Sequence, residues 1–415
     1  MRKARSMRVA ALAGALLAAG GAASAGPVAW VQMTAGRAEA RLVTDAPACP
    51  EIRVDGARRA MTERAAPGEA FPGRVCAARL EPRDRHVLLA GQSLRAPAPR
   101  PSRVVVLGDS GCRMKGQAFQ HCNDPEGWPF ARIAALAAAR RPDLVIHVGD
   151  YYYREKPCPE GNAGCANSPW GDRWPTWKAE LFDPAAPLLA AAPWVFARGN
   201  HEDCARGGAG WFRLLDAAPT VTACPAQSAT FSVDLNGLRL IVVDSADTDD
   251  LIAPADKVAA FGARLDAGRQ AGPAWIVTHR PVWNSSRLGD LVGDGLVNAT
   301  ERAAVRGRDL AGVDLILSGH VHNFAALGFG PSRPAQLVVG TGGDTLDLED
   351  SPPPAAGTAQ VDGLKADIFT MGRFGYLLLE RRGRGWTGRF YDTRDRLAAT
   401  CLSLGRTLSC RAPKG

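Results

Sequence analysis

The sequence predicts a layered α/β protein, α+β in character with mixed sheets, preceded by a small β-sandwich-like unit. Three observations lead there. From residue 103 onward, near-continuous Val/Ile/Leu runs alternate with amphipathic stretches, as in strands buried between helices. Residues 26–93 instead carry short alternating apolar–polar runs broken by Gly, Pro and Asp, as in half-buried antiparallel strands. A Pro-rich stretch from Leu94 to Arg103 separates the two patterns and reads as a semi-rigid linker.

Taken in chain order, residues 1–8 (MRKARSMR) carry four positive charges, and an uncharged stretch follows from Val9. Ala23-Ser24-Ala25 then offers small residues at a cleavage site, so residues 1–25 read as a secretory signal peptide. The apolar core is too short and too rich in Ala and Gly for an anchor, and no later segment is long and apolar enough to span a bilayer. A secreted or periplasmic protein without a membrane partner after cleavage is expected. Residues 26–100 form the β-rich unit and linker, with strands at Ala29–Met33, Glu39–Thr44, Glu51–Val54, Arg74–Leu80 and His86–Ala90. The larger α/β unit is expected over 101–395, and 396–415 reads as a tail closed by Cys401 and Cys410.

Within 101–395, strands are expected at Arg103–Leu107, Leu144–Val148, Trp194–Ala197, Leu238–Val243, Ala274–Thr278, Val313–Leu317 and Gln336–Val339. Helices are expected at Trp128–Arg140 and Ala255–Arg269. Hairpin-like pairs such as Phe374–Glu380 with Trp386–Tyr391 make the sheet mixed rather than parallel, with Arg381-Arg382-Gly383-Arg384 at the turn. The long segment from Tyr151 to Trp177 carries Trp170, Trp174 and Trp177. It reads as a stapled cover whose tryptophans pack on the next helix, in preference to a substrate-facing lip.

The formal net charge of +8 invites a nucleic-acid partner, but 43 of the 50 basic residues are scattered arginines and no groove-reading motif accompanies them. Four of the cations, Arg2, Lys3, Arg5 and Arg8, fall in the export signal, which lowers the remainder to +4. The ten cysteines, all beyond residue 25, suit an oxidising compartment and no C-x-x-C is present. Among hundreds of connectivities, nearest-neighbour pairing is the simplest: Cys49/Cys76, Cys112/Cys122, Cys158/Cys165, Cys204/Cys224 and Cys401/Cys410.

The chemistry lies where five predicted strands end. They run into Gly108-Asp109-Ser110-Gly111, Gly149-Asp150-Tyr151-Tyr152-Tyr153, Gly199-Asn200-His201-Glu202, Thr278-His279-Arg280 and Gly319-His320-Val321-His322. Ligands of open α/β sheets bind outside the carboxyl ends of the strands, so these groups are expected to meet in one crevice. Each alone is a common turn or cap, whereas the conjunction places four of the seven histidines at such ends. Carboxylate, imidazole, amide and phenol form a hard-to-borderline donor set without thiolate, suited to Fe, Zn or Mn. Seven candidate ligands exceed one tetrahedral ion and fit two, with Asp150 as the bridge.

This ordered set resembles the calcineurin-like metallophosphoesterase superfamily, and within it the purple acid phosphatases. Most of the superfamily has His two residues after the first Asp. Here that position is Gly111, and Tyr153 matches the tyrosine that purple acid phosphatases supply three residues after the second Asp. The resemblance implies a four-layer αββα catalytic domain, with a fibronectin-III-like domain before it. It also implies Fe(III) held by Asp109, Asp150, Tyr153 and His322, and a divalent Fe, Zn or Mn ion held by Asp150, Asn200, His279 and His320. His201 would then act beside the leaving group as the catalytic residue, with Glu202 supporting the site from behind. Of the other histidines, His147 faces away from the strand end, while His121 lies in the Cys112–Cys122 loop. The activity implied is hydrolysis of small-molecule phosphomonoesters by metal-activated hydroxide, acid phosphatase-like. The alternatives are a phosphodiesterase with the same metals, a non-catalytic metal- or phosphate-binding protein, and a separable adhesion role for residues 26–95. The sequence does not indicate an oligomeric state.

Overall fold

The structure, a computed structural model, describes residues 26–219, 223–269, 272–288, 290–295, 298–347 and 353–413. The segment read as a signal peptide lies outside them. Two large mixed sheets stack face to face with helices on both outer surfaces, giving the layered α/β architecture that the sequence predicts.

At the centre of the first sheet, Arg103–Leu107, Leu144–His147 and Trp194–Phe196 run parallel. In the second sheet Arg239–Val242, Ala274–Val277, Val313–Ser318 and Ala335–Val339 do the same. Strand alternation sorts their side chains. Val104, Val106, Ile146 and Val195 meet Leu240, Val242, Val277, Leu315 and Leu317 in the layer between the sheets. Val105, Leu107 and Val145 face the opposite way, onto helices Phe130–Ala139 and Asp183–Ala191. Helices Ala255–Ala267 and Ala299–Val305 cover the outer face of the second sheet. Three apolar layers between four structural layers account for the near-continuous Val/Ile/Leu runs, since both faces of each central strand are dry.

The N-terminal unit differs from expectation in one respect. Its strands form, and Glu51–Val54, Ala57–Ala60, His86–Leu89 and Gln92–Arg95 make a small sheet whose Ile52, Val54 and Val87 join the inter-sheet core. The remaining strands do not stand apart. Val28–Thr34 pairs in parallel with Trp194–Phe196, and Arg37–Thr44, Arg74–Leu80 and Thr62–Ala65 extend the same sheet outward. The C-terminal segment likewise is no loose tail: Leu397–Leu404 and Thr407–Arg411 add two strands at the opposite edge. An edge strand of the catalytic sheet offers unpaired N–H and C=O groups, and these two segments satisfy them.

All five disulfides join nearest neighbours in sequence. The Arg381–Arg384 cluster does sit at a hairpin, between Gly375–Arg382 and Gly385–Asp392. Trp174 and Trp177 are buried in the helical run 174–191 and its core, while Trp170 stays 41% exposed with the Arg173 guanidinium over its ring.

Two buried arginines bind the N-terminal strands to the catalytic unit. Arg41 donates to the carbonyls of Leu214 and Asp216, and Arg64 donates to those of Phe212, Arg213, Asp216 and Pro219. Phe212, Arg213 and Leu214 form the end of the helix Gly208–Leu214, whose last carbonyls have no partner within the helix, and Asp216 and Pro219 follow it. Deleting residues 26–95 is therefore expected to yield insoluble or molten chain rather than an active enzyme without its adhesion module. Expression of that truncation, followed by circular dichroism and thermal melting, checks this.

Candidate functional site

Five strand ends from the two sheets meet at one edge of the sandwich. Asp109, Asp150 with Tyr153, and Asn200 with His201 come from the first sheet, and His279, His320 and His322 from the second. The crevice lies between facing sheets rather than over a single open one. Three of the residues expected to bind metal, Asp109, Asp150 and His320, have left-handed backbone, with φ of +56°, +58° and +69°. Non-glycine residues rarely adopt it, and such strain collects at functional sites. Neighbouring glycines permit the crowding. A Cβ on Gly199 would lie 2.0 Å from Oδ1 of Asp150, and one on Gly319 would lie 2.2 Å from Oδ2 of Asp109.

The donor atoms form two corners that share Asp150. At one, Tyr153 Oη lies 3.0 Å from Asp150 Oδ2, 3.0 Å from His322 Nε2 and 3.4 Å from Asp109 Oδ1. His322 Nε2 is itself 3.3 Å from Asp109 Oδ1. At the other, His279 Nε2 lies 3.1 Å from Asp150 Oδ2 and 3.0 Å from Asn200 Oδ1. Asp150, His279 and His320 present ligand atoms within 4.8 Å of one another, close enough to hold one ion. The donor set fits cations at both corners: oxygens and imidazole nitrogens, buried apart from half-buried His320, converging and without thiolate.

Gly111 explains the missing histidine. A Cβ there would lie 2.2 Å from Glu180 Oε2 and 2.7 Å from the Tyr153 ring, so the phenol and an imidazole at 111 exclude each other. Glu180 sits on a π-turn, Lys178–Phe182, accepts from Tyr153 N–H at 3.1 Å and pairs with Arg154 at 2.8 Å.

Charge is concentrated here. Burial raises the Asp109 carboxyl above its ordinary range. Burial also pushes the Tyr153 phenol well up, reinforced by the carboxylates of Asp150 and Asp109. Asp150 is held well below the usual range, because His279 and His201 outweigh burial. Behind the corners, Glu202 accepts N–H bonds from Gly199, Asp150, Tyr151 and Tyr152 at 2.8–3.1 Å. Burial and then Asp150 push its carboxyl up to about 8.

His201 has a distinct place. Its N–H donates to Asp150 Oδ1 at 2.9 Å, and its ring lies against Tyr153 with centroids 3.9 Å apart. Nδ1 lies 2.7 Å from Glu155 Oε1, while Nε2 is 4.0 Å from Asp150 Oδ2. Burial lowers its pKa, opposed by Asp150 and Glu155.

Several partners carry no signal in the sequence. Asp250 Oδ1 lies 3.0 Å from His320 Nε2, leaving Nδ1 for the shared cluster, and Asp250 is itself paired with Arg280. His279 Nδ1 is fixed by the Val148 carbonyl at 2.9 Å and His322 Nδ1 by the Thr345 carbonyl at 2.7 Å. Glu155, Lys115, Arg113 and Asp344 also border the site. The Gly-rich run to Asp344 buttresses the Asp109 turn by donating from Gly342 and Asp344 to the carbonyls of Gly108 and Asp109. Only its spacing after Gly319-His320-Val321-His322 hints at this. His147 is buried on Ser110 Oγ at 2.8 Å and stacks on Tyr151, away from the crevice. His121 is exposed beside Gly164 and contributes nothing to the cluster.

Comparisons with known proteins agree with this architecture. A family model described as calcineurin-like phosphoesterase matches residues 102–324, which span all five strand ends. No curated protein sequence matches significantly. Among solved structures, the purple acid phosphatase PPD1 from yellow lupin (Lupinus luteus) seeds superposes with a TM-score of 0.60 at 14% identity, covering 93% of this chain and 74% of that one. PhoD superposes with a TM-score of 0.56 at 12% identity, covering 94% of this chain and 92% of that one. At such identities the likeness is one of fold. With more than half of its length matched by the family model, the chain belongs to the calcineurin-like phosphoesterases, metal-dependent hydrolases of phosphoric esters.

Proposed function

We propose that this protein is a secreted phosphomonoesterase of the purple acid phosphatase type. Its centre would pair Fe(III) with a divalent Fe, Zn or Mn ion. Tyr153 carries the reading: its Oη faces Asp109, Asp150 and His322 at 3.0–3.4 Å, in space that Gly111 leaves open. A phenolate is a hard oxygen donor and favours a trivalent ion. Asp109, Tyr153, His322 and Asp150 would hold Fe(III), while Asp150, Asn200, His279 and His320 would hold the divalent ion. Five disulfides among the described residues indicate an oxidising compartment, and with the N-terminal export pattern they support secretion or a periplasmic location.

A bound cation pair supplies Lewis acidity toward the attacking water and the phosphoryl oxygens. The chain's own residues do the rest. Asp150 ties the corners together, and Glu202 fixes the backbone of Asp150, Tyr151, Tyr152 and Gly199 through four N–H bonds. His201 keeps Nδ1 against Glu155 and directs Nε2 into the site, so the protonated ring would give its Nε2 proton to a departing alkoxide. Asp250 sets the ring of His320 through Nε2.

Three variants test these assignments. His201→Ala is expected to lower kcat roughly 100-fold or more with both metals retained, since general acid catalysis contributes on that scale. Turnover measured alongside metal analysis checks it, and loss of both metals would contradict the role. Tyr153→Phe is expected to abolish the visible charge-transfer band of iron-loaded protein. A wild type that is colourless with iron bound would overturn the Fe(III)–Tyr153 assignment. Asp250→Asn is expected to weaken divalent-ion binding by roughly 10- to 100-fold, the scale of losing a carboxylate behind a ligand histidine. Competition with a chelator reads that affinity. Paired monoester and diester substrates separate the monoesterase reading from the diesterase one.

A further inference from the structure

Arg206 and Lys115 approach the His201 side of the centre, and Arg113 approaches the His322 side. Arg113 is engaged bidentately by Asp344, at 2.9 and 2.6 Å. Arg206 pairs with Asp203 at 2.7 Å and lies 3.7 Å from Glu155. Lys115 differs: it forms no ion pair among the described residues, and its Nζ lies 3.4 Å from Nε2 of His201.

The position of Lys115 is built into the fold. Met114–Lys115 pairs with Ala118–Phe119 in a short hairpin whose base is closed by the Cys112–Cys122 disulfide. Met114 is fully buried, donates to the Tyr153 carbonyl at 3.0 Å and accepts from Lys156 N–H at 3.0 Å. The backbone that carries Lys115 is thus tied to the segment that carries Tyr153 and Glu155. Glu155 and Lys115 attract each other through space without forming an ion pair among the described residues, so the ammonium holds no carboxylate directly and can receive an anion at the centre. An ammonium offers three donors as a compact point charge, which suits phosphoryl oxygens arriving beside His201.

We propose that Lys115 binds the phosphoryl group of the substrate, and that its positive charge favours the dianion of a phosphomonoester over the monoanion of a diester. The proposal rests on the phosphomonoesterase reading above. It adds a specificity-determining contact that comes from a short hairpin and from none of the five strand ends.

The test uses the metal-loaded full chain, inorganic phosphate, an aryl phosphate and the methyl diester of the same aryl phosphate. For Lys115→Met, the KM for the monoester and the dissociation constant for phosphate by calorimetry are expected to rise roughly 10- to 100-fold, the scale of one hydrogen bond to a charged group. The loss in kcat/KM on the monoester is expected to exceed that on the diester by at least about fivefold, as expected when a full charge rather than shape is lost. Lys115→Arg keeps the charge and is expected to recover most of the phosphate affinity. Metal content and the unfolding midpoint are expected to match wild type in both variants. Unchanged phosphate affinity and monoester KM in Lys115→Met would overturn the proposal. So would equal losses on both esters, loss of metal, or an Arg variant as impaired as the Met one. A wild type that hydrolyses only the diester overturns the monoesterase reading instead, whatever the Lys115 variants do.

Discussion

The apolar layer between the two sheets is the constraint on which the site depends. Val104, Val106, Ile146 and Val195 on one side close against Val242, Val277, Leu315 and Leu317 on the other, all essentially without solvent contact. Sheets packed face to face sit about 10 Å apart. That spacing sets how far the Asp and Asn ends of one sheet stand from the His ends of the other. No single strand supplies both kinds of donor. A core substitution that spread the sheets would open the donor clusters without touching a donor, because close-packed interiors transmit displacement.

Against that rigid frame, the donors are held under local strain. Asp109, Asp150 and His320 adopt left-handed backbone immediately beyond their strands, and glycines at 199 and 319 leave no space between their α-carbons and the carboxylates. Each imidazole is fixed through its second nitrogen: His279 by the Val148 carbonyl, His322 by the Thr345 carbonyl and His320 by Asp250. Such partners orient a ligand ring and select its tautomer. The crowding of Asp109, Asp150 and Tyr153 oxygens raises the local demand for positive charge, which is why the same geometry suits cations.

How much of this was legible in the sequence varied with the range of the interaction concerned. The central strands were readable because both faces of each are buried, so their apolar runs are nearly unbroken. The donors were readable because each directly follows such a run. Tyr153 in place of a histidine at Gly111 was readable as a pattern, but the reason for the exclusion, shared space beside Glu180, was not. The N-terminal strands were found and their partners were not. Alternation tells which face of a strand is dry, and it does not tell whether Val28–Thr34 pairs within its own unit or beside Trp194–Phe196. Asp250, Glu155 and Lys115 lie in or beside loops among many other charged residues, where no periodicity marks them.

The sequence by itself determined the elements whose cause is local: buried strands, the turns that end them, the types and order of the donors, and an even set of cysteines with close neighbours. Tertiary structure alone decided what depends on distance. It brought strand ends from two different sheets to one edge and gave the terminal segments to the catalytic sheet. It also closed carbonyls of a distant helix with Arg41 and Arg64, and turned Lys115 toward His201. The physical reason is that side-chain periodicity records burial, whereas pairing, charge compensation and the meeting of donors depend on which surfaces the packed core brings within a few ångströms.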